Sequence, residues 1–358
     1  MQRTKSFLII TAAALFSAAA SLASPAKPQE RTYAPEWKGA ITGECYYMTS
    51  ALLKGNFLPG GGEEIASIDE EGYGHIIRWN GSRMDEEWIT TKPVAPKHLI
   101  KAVAADLKGD GSDITVLLLS DGTVNVWGSE AASFEMLCTD CLSDLRKQYK
   151  IFSIAAADVD DDYKKEIVAL AESKKRIYIL TFEWRKNKLN FFSGYPAPIS
   201  TKPAEIVAAE TPEGDACFLY MKGGKPKYRL VKLEFNEEGV SLGDTIVLDE
   251  NKRIVSIWPG KIEQNNKNAF FILESRAGQL SLRAADTVSG DTILTIGPLS
   301  MTTRFGLSAD LNYDGKTELI FNETGCKYNI FEEVKKPSKA VQKKKTHEDD
   351  DGSKTGEK

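Results

Sequence analysis

The chain has 358 residues, 42% hydrophobic and 27% charged, with a formal net charge of -5. That composition belongs to a globular domain and excludes a disordered or collagen-like chain. The acidic balance speaks against nucleic acid as a partner, which demands a basic footprint.

The chain opens with a leader pattern. Arg3 and Lys5 precede an apolar, alanine-rich run from Phe7 to Ala20, and Ser21-Leu22-Ala23 places small residues before Ser24-Pro25. This predicts a secretory signal peptide over residues 1–23 and export to the periplasm or the extracellular space. The run is short and alanine-rich for a membrane span of about 20 strongly apolar residues. No cysteine sits at the cut to carry a lipid, and no later stretch could span a membrane. Losing Arg3 and Lys5 takes the mature charge to -7. Residues 24–31 read as a short linker. Residues 335–358 read as a disordered charged tail, with Lys343-Lys344-Lys345 followed by Glu348-Asp349-Asp350-Asp351 and too few apolar residues to offset ordering.

Residues 32–334 carry one pattern six times: an apolar stretch, a polar turn, and a second apolar stretch. Leu52 to Phe57 is the first copy. The others centre on Ala104-Ala105-Asp106-Leu107, Ala156-Ala157-Asp158-Val159, Ala208-Ala209-Glu210-Thr211, Trp258 to Ile262 and Ser308-Ala309-Asp310-Leu311. With Asn56, Asp106, Asp158, Glu210, Lys261 and Asp310 as equivalents, the period is 49 to 52 residues. A period of this length over the whole folded part predicts a repeat architecture.

Each unit reads as short strands without a helix. The third gives Ile151–Ala157, Glu166–Ala171, Arg176–Glu183 and Leu189–Phe192; the last gives Phe305–Ala309, Glu318–Asn322 and Lys327–Val334 and then turns polar. Its missing fourth strand is matched by a surplus around Glu36 to Thr42. The expected fold is all-β: a six-bladed β-propeller of four-stranded blades, the last closed by the N-terminal strand. Trp79, Trp127, Trp184, Phe235 and Phe331 recur near the end of the third strand and read as packing between blades. The alanine pairs suit inner strands, where blades converge.

The turns carry the chemistry. Asp310, Asn312, Asp314 and Glu318 place oxygens at positions one, three, five and nine, with Gly315 at the sharp bend and the Lys316 carbonyl as a further ligand. Hard cations such as Ca²⁺ take six to eight oxygens. Asp158, Asp160, Asp162 and Glu166 repeat the spacing, with Tyr163 in place of the glycine. The Asp106 turn is one residue shorter, and Lys108 at its third position would compete with a metal. The alternative for all three is that the carboxylates cap backbone N–H groups of the turn.

These turns and their setting resemble the FG-GAP/VCBS family of propeller repeats, with its Asp-Phe-Asn-Gly-Asp-Gly-type loop before an acidic residue and an apolar strand. Three units carry the motif, and the last fits it best. The resemblance implies structural Ca²⁺ at Asp310, Asn312, Asp314 and Glu318 and at Asp158, Asp160, Asp162 and Glu166.

Five cysteines remain after the leader. Cys138 and Cys141 read as a loop-stapling disulfide, Cys45 and Cys326 as a candidate closure of the last blade, and Cys217 as a buried thiol. His75, His98 and His347 are the only histidines, and no metal-protease, phosphate-loop or nucleophile-elbow pattern occurs. The leading expectation is an exported, non-catalytic binding or scaffold module for a protein partner. A cell-surface glycan-binding module is the alternative, and an enzyme with a carboxylate-based carbohydrate site comes third.

Overall fold

A computed structural model describes residues 32–40, 49–58, 62–80, 84–130, 133–236, 238–262, 266–322 and 327–334. The expected leader, linker and tail lie outside the described residues, as do Cys45 and Cys326.

The chain enters through β1 (Thr32–Ala40) and then builds sheets in sequence order. The first is β2 (Thr49–Gly55), β3 (Glu64–Asp69), β4 (Gly74–Trp79) and β5 (Met84–Ile89). The second is β6 (Leu99–Ala105), β7 (Ile114–Leu119), β8 (Val124–Glu130) and β9 (Ser133–Cys138). A one-turn helix, α1 (Ser143–Arg146), leads to the third: β10 (Lys150–Ala157), β11 (Glu166–Ser173), β12 (Arg176–Arg185) and β13 (Lys188–Pro196). The fourth is β14 (Glu205–Thr211), β15 (Gly214–Lys222), β16 (Tyr228–Asn236) and β17 (Gly239–Val247). The fifth is β18 (Arg253–Ile262), β19 (Lys267–Arg276), β20 (Gln279–Asp286) and β21 (Thr292–Leu299). The last three strands, β22 (Gly306–Ala309), β23 (Glu318–Asn322) and β24 (Lys327–Val334), take β1 as their fourth, Thr32 facing Val334 and Ala40 facing Lys327. The helix corrects the helix-free reading; four residues are too few for a 3.6-residue period to register.

Every sheet is four-stranded and antiparallel, in a β-propeller arrangement. Each apolar cluster lies between two neighbouring sheets, and one couples Leu307, Leu311 and Ile320 of the last to Leu52, Ile65 and Ile77 of the first. The inner strands also touch in order, with β22 against β2. Burial is therefore shared between sheets, and no sheet has a core of its own.

The residue before each turn is small: Gly55, Ala105, Ala157, Ala209, Gly260 and Ala309. The reason is contact between inner strands. A Cβ on Gly260 would lie 2.0 Å from Ser308 Oγ of the next sheet, and one on Gly55 would lie 2.8 Å from Asp113. Trp127 is fully buried between the first two sheets, while Trp79, Trp184 and Phe235 are half-buried against other clusters. The side chain of Phe331 lies outside the described residues.

In the first sheet His75 is completely buried between two carboxylates. Nδ1 lies 2.5 Å from Glu86 Oε1 and Nε2 3.1 Å from Asp69 Oδ2. Burial acts to lower the imidazole pKa, but the hydrogen bonds and charges of Asp69 and Glu86 outweigh it and the net shift is upward. A raised histidine pKa contributes stability that is complete below about 6.5 and is lost as pH rises through the folded pKa. Chemical unfolding across that window should show wild-type stability declining with pH and the decline reduced in His75→Gln; equal slopes would contradict the imidazolium bridge.

Candidate metal-binding turns

The turns between first and second strands share one end of the ring with those between third and fourth, as antiparallel order requires. This end is acidic. Within a sheet, the glutamate that opens the second strand reaches back over the turn. Glu64 Oε2 accepts the Phe57 N–H at 2.7 Å, Glu166 Oε2 that of Val159 at 3.0 Å, and Glu318 Oε2 that of Leu311 at 2.7 Å. All three are buried. Glu64 is neutralised by Arg78, whose Nε lies 2.9 Å away.

Between sheets, the next turn clamps the previous one. Asn56 N–H donates to Asp113 Oδ2 at 2.8 Å and Asn56 O accepts from Asp113 N–H at 2.8 Å. Asp158 N–H donates to Asp215 Oδ2 at 3.0 Å, Lys165 N–H to Asp106 O at 3.3 Å, and Thr317 Oγ1 to Lys261 O at 3.2 Å. Residues 56 to 59 positions apart are thus joined through backbone groups, which holds each turn in a fixed place on the ring.

Oxygens of Asp310, Asp314 and Glu318 lie within 4.8 Å of one another, as do those of Asp158, Asp160 and Glu166. Three carboxylates of the set expected at Asp310 therefore converge. Its capping duties are also real. Asp310 accepts from Asp314 and Gly315 N–H at 3.1 and 3.0 Å, Asn312 Oδ1 accepts from Asp314 N–H at 3.0 Å, and Asp314 Oδ1 from Lys316 N–H at 2.9 Å. The Lys316 ammonium pairs with Asp314.

In the third sheet Asp162 lies outside the trio; its Oδ1 accepts the Lys164 N–H at 2.8 Å, a bond that Asp314 makes with Lys316 N–H while staying in its own trio. Asp158 caps Asp162 and Tyr163 N–H at 3.2 and 2.9 Å. Burial, then the charges of Asp160, Asp162 and Asp158, push the Glu166 carboxyl up to about 7 against the lowering Val159 hydrogen bond. Such mutual repulsion is the electrostatic condition a divalent cation relieves.

The Asp106 turn forms no such trio among the described residues. Asp106 is spent on Gly109, Asp110 and Gly111 N–H. Lys108 leaves the turn for Ser129 O at 3.3 Å, so it is no competitor inside it. Asp113 is committed to the first sheet, with its carboxyl pKa raised chiefly by burial.

Cys138 and Cys141 are disulfide-bonded with Cα atoms 5.7 Å apart, stapling the connector between the second and third sheets. Cys217 is a buried free thiol whose pKa is driven up by burial. Among the described residues, no helix is long and apolar enough to cross a membrane.

No protein-family model matches the chain, and no curated protein does. In fold it matches 499 solved chains, so the likeness marks an architecture and selects no activity. One of these is described as "Crystal structure of BBS1N in complex with ARL6DN, soaked with mercury". It matches with a TM-score of 0.54 at 10% identity, over 86% of this chain and 98% of that one. The chain is thus similar in fold to a protein solved with a partner, an all-β propeller arrangement of four-stranded antiparallel sheets.

Proposed function

We propose that the chain is an exported, non-catalytic binding or scaffold module of the FG-GAP/VCBS type, a six-bladed propeller with structural Ca²⁺ in the turns at Asp310 and Asp158, and that it recognises a protein partner. One observation carries the partner reading. The acidic end presents Tyr163, 93% exposed, and Tyr313, 60% exposed with its hydroxyl end against Gly62 of the first sheet, each in a turn at positive φ. Tyrosine is enriched at interfaces because it offers rigid contact area with a polar tip. Loops on a rigid scaffold are where recognition tends to reside, and the BBS1N structure is described as a complex. The leader pattern supports export.

For the turns, Asp310, Asp314 and Glu318 would hold the cation in the last sheet, with Asn312 and the Lys316 carbonyl as further oxygens. Asp158, Asp160 and Glu166 would hold it in the third. The cation supplies charge neutralisation that fixes the turn.

The test is capture of partners by residues 24–358 from a native envelope and secreted extract, with Ca²⁺ and with chelator. The expected result is a protein enriched reproducibly by the wild type and lost with the Tyr163→Ala/Tyr313→Ala double variant, whose melting is unchanged. No enrichment in either arm overturns the protein-binding reading and makes a glycan array the next step.

A further inference from the structure

The second sheet ends in Cys138-Thr139-Asp140-Cys141, and the backbone around this disulfide is held without help from the sulfurs. Cys138 closes β9, the outer strand, and pairs with Val126 on β8. Asp140 turns the chain at φ 49°, and Cys141 N–H then donates to Val124 O at 2.8 Å. One strand thus fixes both cysteines at positions two residues apart, which is about 6.8 Å along a strand. A disulfide needs Cα atoms roughly 4.4–6.8 Å apart, and this pair sits at 5.7 Å.

Further bonds brace the same segment. Asn125 Oδ1 accepts the Asp140 N–H at 3.0 Å, and Asn125 Nδ2 donates to Val94 O at 3.0 Å. Arg146 donates to Asp140 Oδ2 at 2.7 Å and to Thr123 Oγ1 at 3.0 Å. Leu142, which follows the second cysteine, is buried in the cluster between the second and third sheets. Breaking the S–S bond would therefore leave two thiols within bonding reach. The bond also does little for the fold, because stabilisation grows with loop length and only three positions separate these cysteines.

The pair is accessible as well. Cys138 and Cys141 are half-buried at the rim of the ring, packed against the Leu142 cluster, with Thr139 exposed between them. Cys217, by contrast, is 1% exposed. The carboxylate between the two, Asp140, is answered by Arg146, which limits its opposition to a thiolate.

We propose that Cys138–Cys141 is a reversible thiol–disulfide exchange site whose substrate is a dithiol, of the kind a disulfide oxidoreductase carries. A thiolate of the dithiol attacks one Sγ, the S–S bond breaks, and the other Sγ leaves as a thiolate. The second thiolate of the dithiol then displaces the first Sγ. The reductant ends as a disulfide, and its two protons end on the cysteine thiols. Selectivity follows from the bracing. A monothiol caught in the mixed disulfide is expelled by the neighbouring cysteine, whereas a dithiol competes with its own second sulfur.

The test titrates residues 24–358 in native buffer with dithiothreitol against its oxidised form, and in a parallel arm with reduced against oxidised glutathione. Excess N-ethylmaleimide traps thiols in the native state, and peptide mass spectrometry locates them. Cys138 and Cys141 should become labelled together and reversibly, while Cys217 stays unlabelled and tryptophan fluorescence stays native. Half-reduction by glutathione should need a concentration at least about tenfold higher. Cys138→Ala/Cys141→Ala should fold and melt within about 5 °C of wild type. Labelling of the pair only when Cys217 is also labelled overturns the proposal, since the disulfide would then yield only on unfolding. Equal potency of the two reductants overturns it too, as does a double variant that does not fold. The titration involves neither a partner nor Ca²⁺, so its outcome is separate from that of the partner capture.

Discussion

Calcium should raise the melting temperature of residues 24–358, and Glu318→Gln should remove the part of that rise that the Asp310 turn supplies. One side chain has two separable jobs there. Glu318 is 2% exposed and accepts the Leu311 N–H at 2.7 Å. Glutamine keeps an oxygen for that bond while removing the charge a cation needs. A site at a hundredfold its Kd stabilises by about 2.7 kcal/mol, which for a domain of this size is a rise of roughly 4 °C. If Asp310, Asp314 and Glu318 only cap the turn, Ca²⁺ and chelator give the same melting curve. Calorimetry of wild type and Glu318→Gln, each with Ca²⁺ and with chelator, distinguishes the two. A rise retained in full by Glu318→Gln would move the cation elsewhere, and Glu166→Gln is then the variant to examine.

Trp127→Ala costs about 3–5 kcal/mol, the range for emptying a buried aromatic site. The indole fills the gap between the first two sheets, against Ile68, Ile76, Val94 and Leu117, and it lies so close over β4 that a Cβ on Gly74 would sit 2.4 Å from Cη2. Nothing in a rigid ring can collapse into that space, because both sheets are also fixed by their other neighbours. Trp184→Ala, on the same face of the third sheet but two residues beyond Phe182, the equivalent of Trp127, and half-buried, should cost less. Urea unfolding of the two variants measures the difference; a Trp127→Ala cost below about 1 kcal/mol would contradict the packing described.

The strands and the small residues before each turn could be read from the chain because both follow short-range rules. Alternation marks a strand, and Ala157 or Gly260 marks the crowded inner position whatever lies around it. The convergence of Asp310, Asp314 and Glu318 was also legible, since a turn of nine residues brings its own members together. Asp162 was not: it accepts the same kind of backbone N–H as Asp314, in a turn with positive φ at the same places, yet lies outside its trio, a difference that spacing does not encode. The clamp between Asn56 and Asp113 joins residues 57 apart and exists only at the angle between neighbouring sheets. His75, Asp69 and Glu86 come from three strands. Each pairing needs strand register, which a one-residue slip would reverse. Charged residues in those strands look like solvent-facing positions until the register is known.

The central claim is that recognition resides in the turns and connectors of a rigid ring. Hydrogen exchange of residues 24–358, free and saturated with a captured partner, tests it most directly. The account predicts added protection confined to the turns and connectors of the ring's ends, with the amides of β7, β11 and β15 unchanged. Protection spread through those interior strands, or confined to the outer edges of β13 and β17, would contradict it.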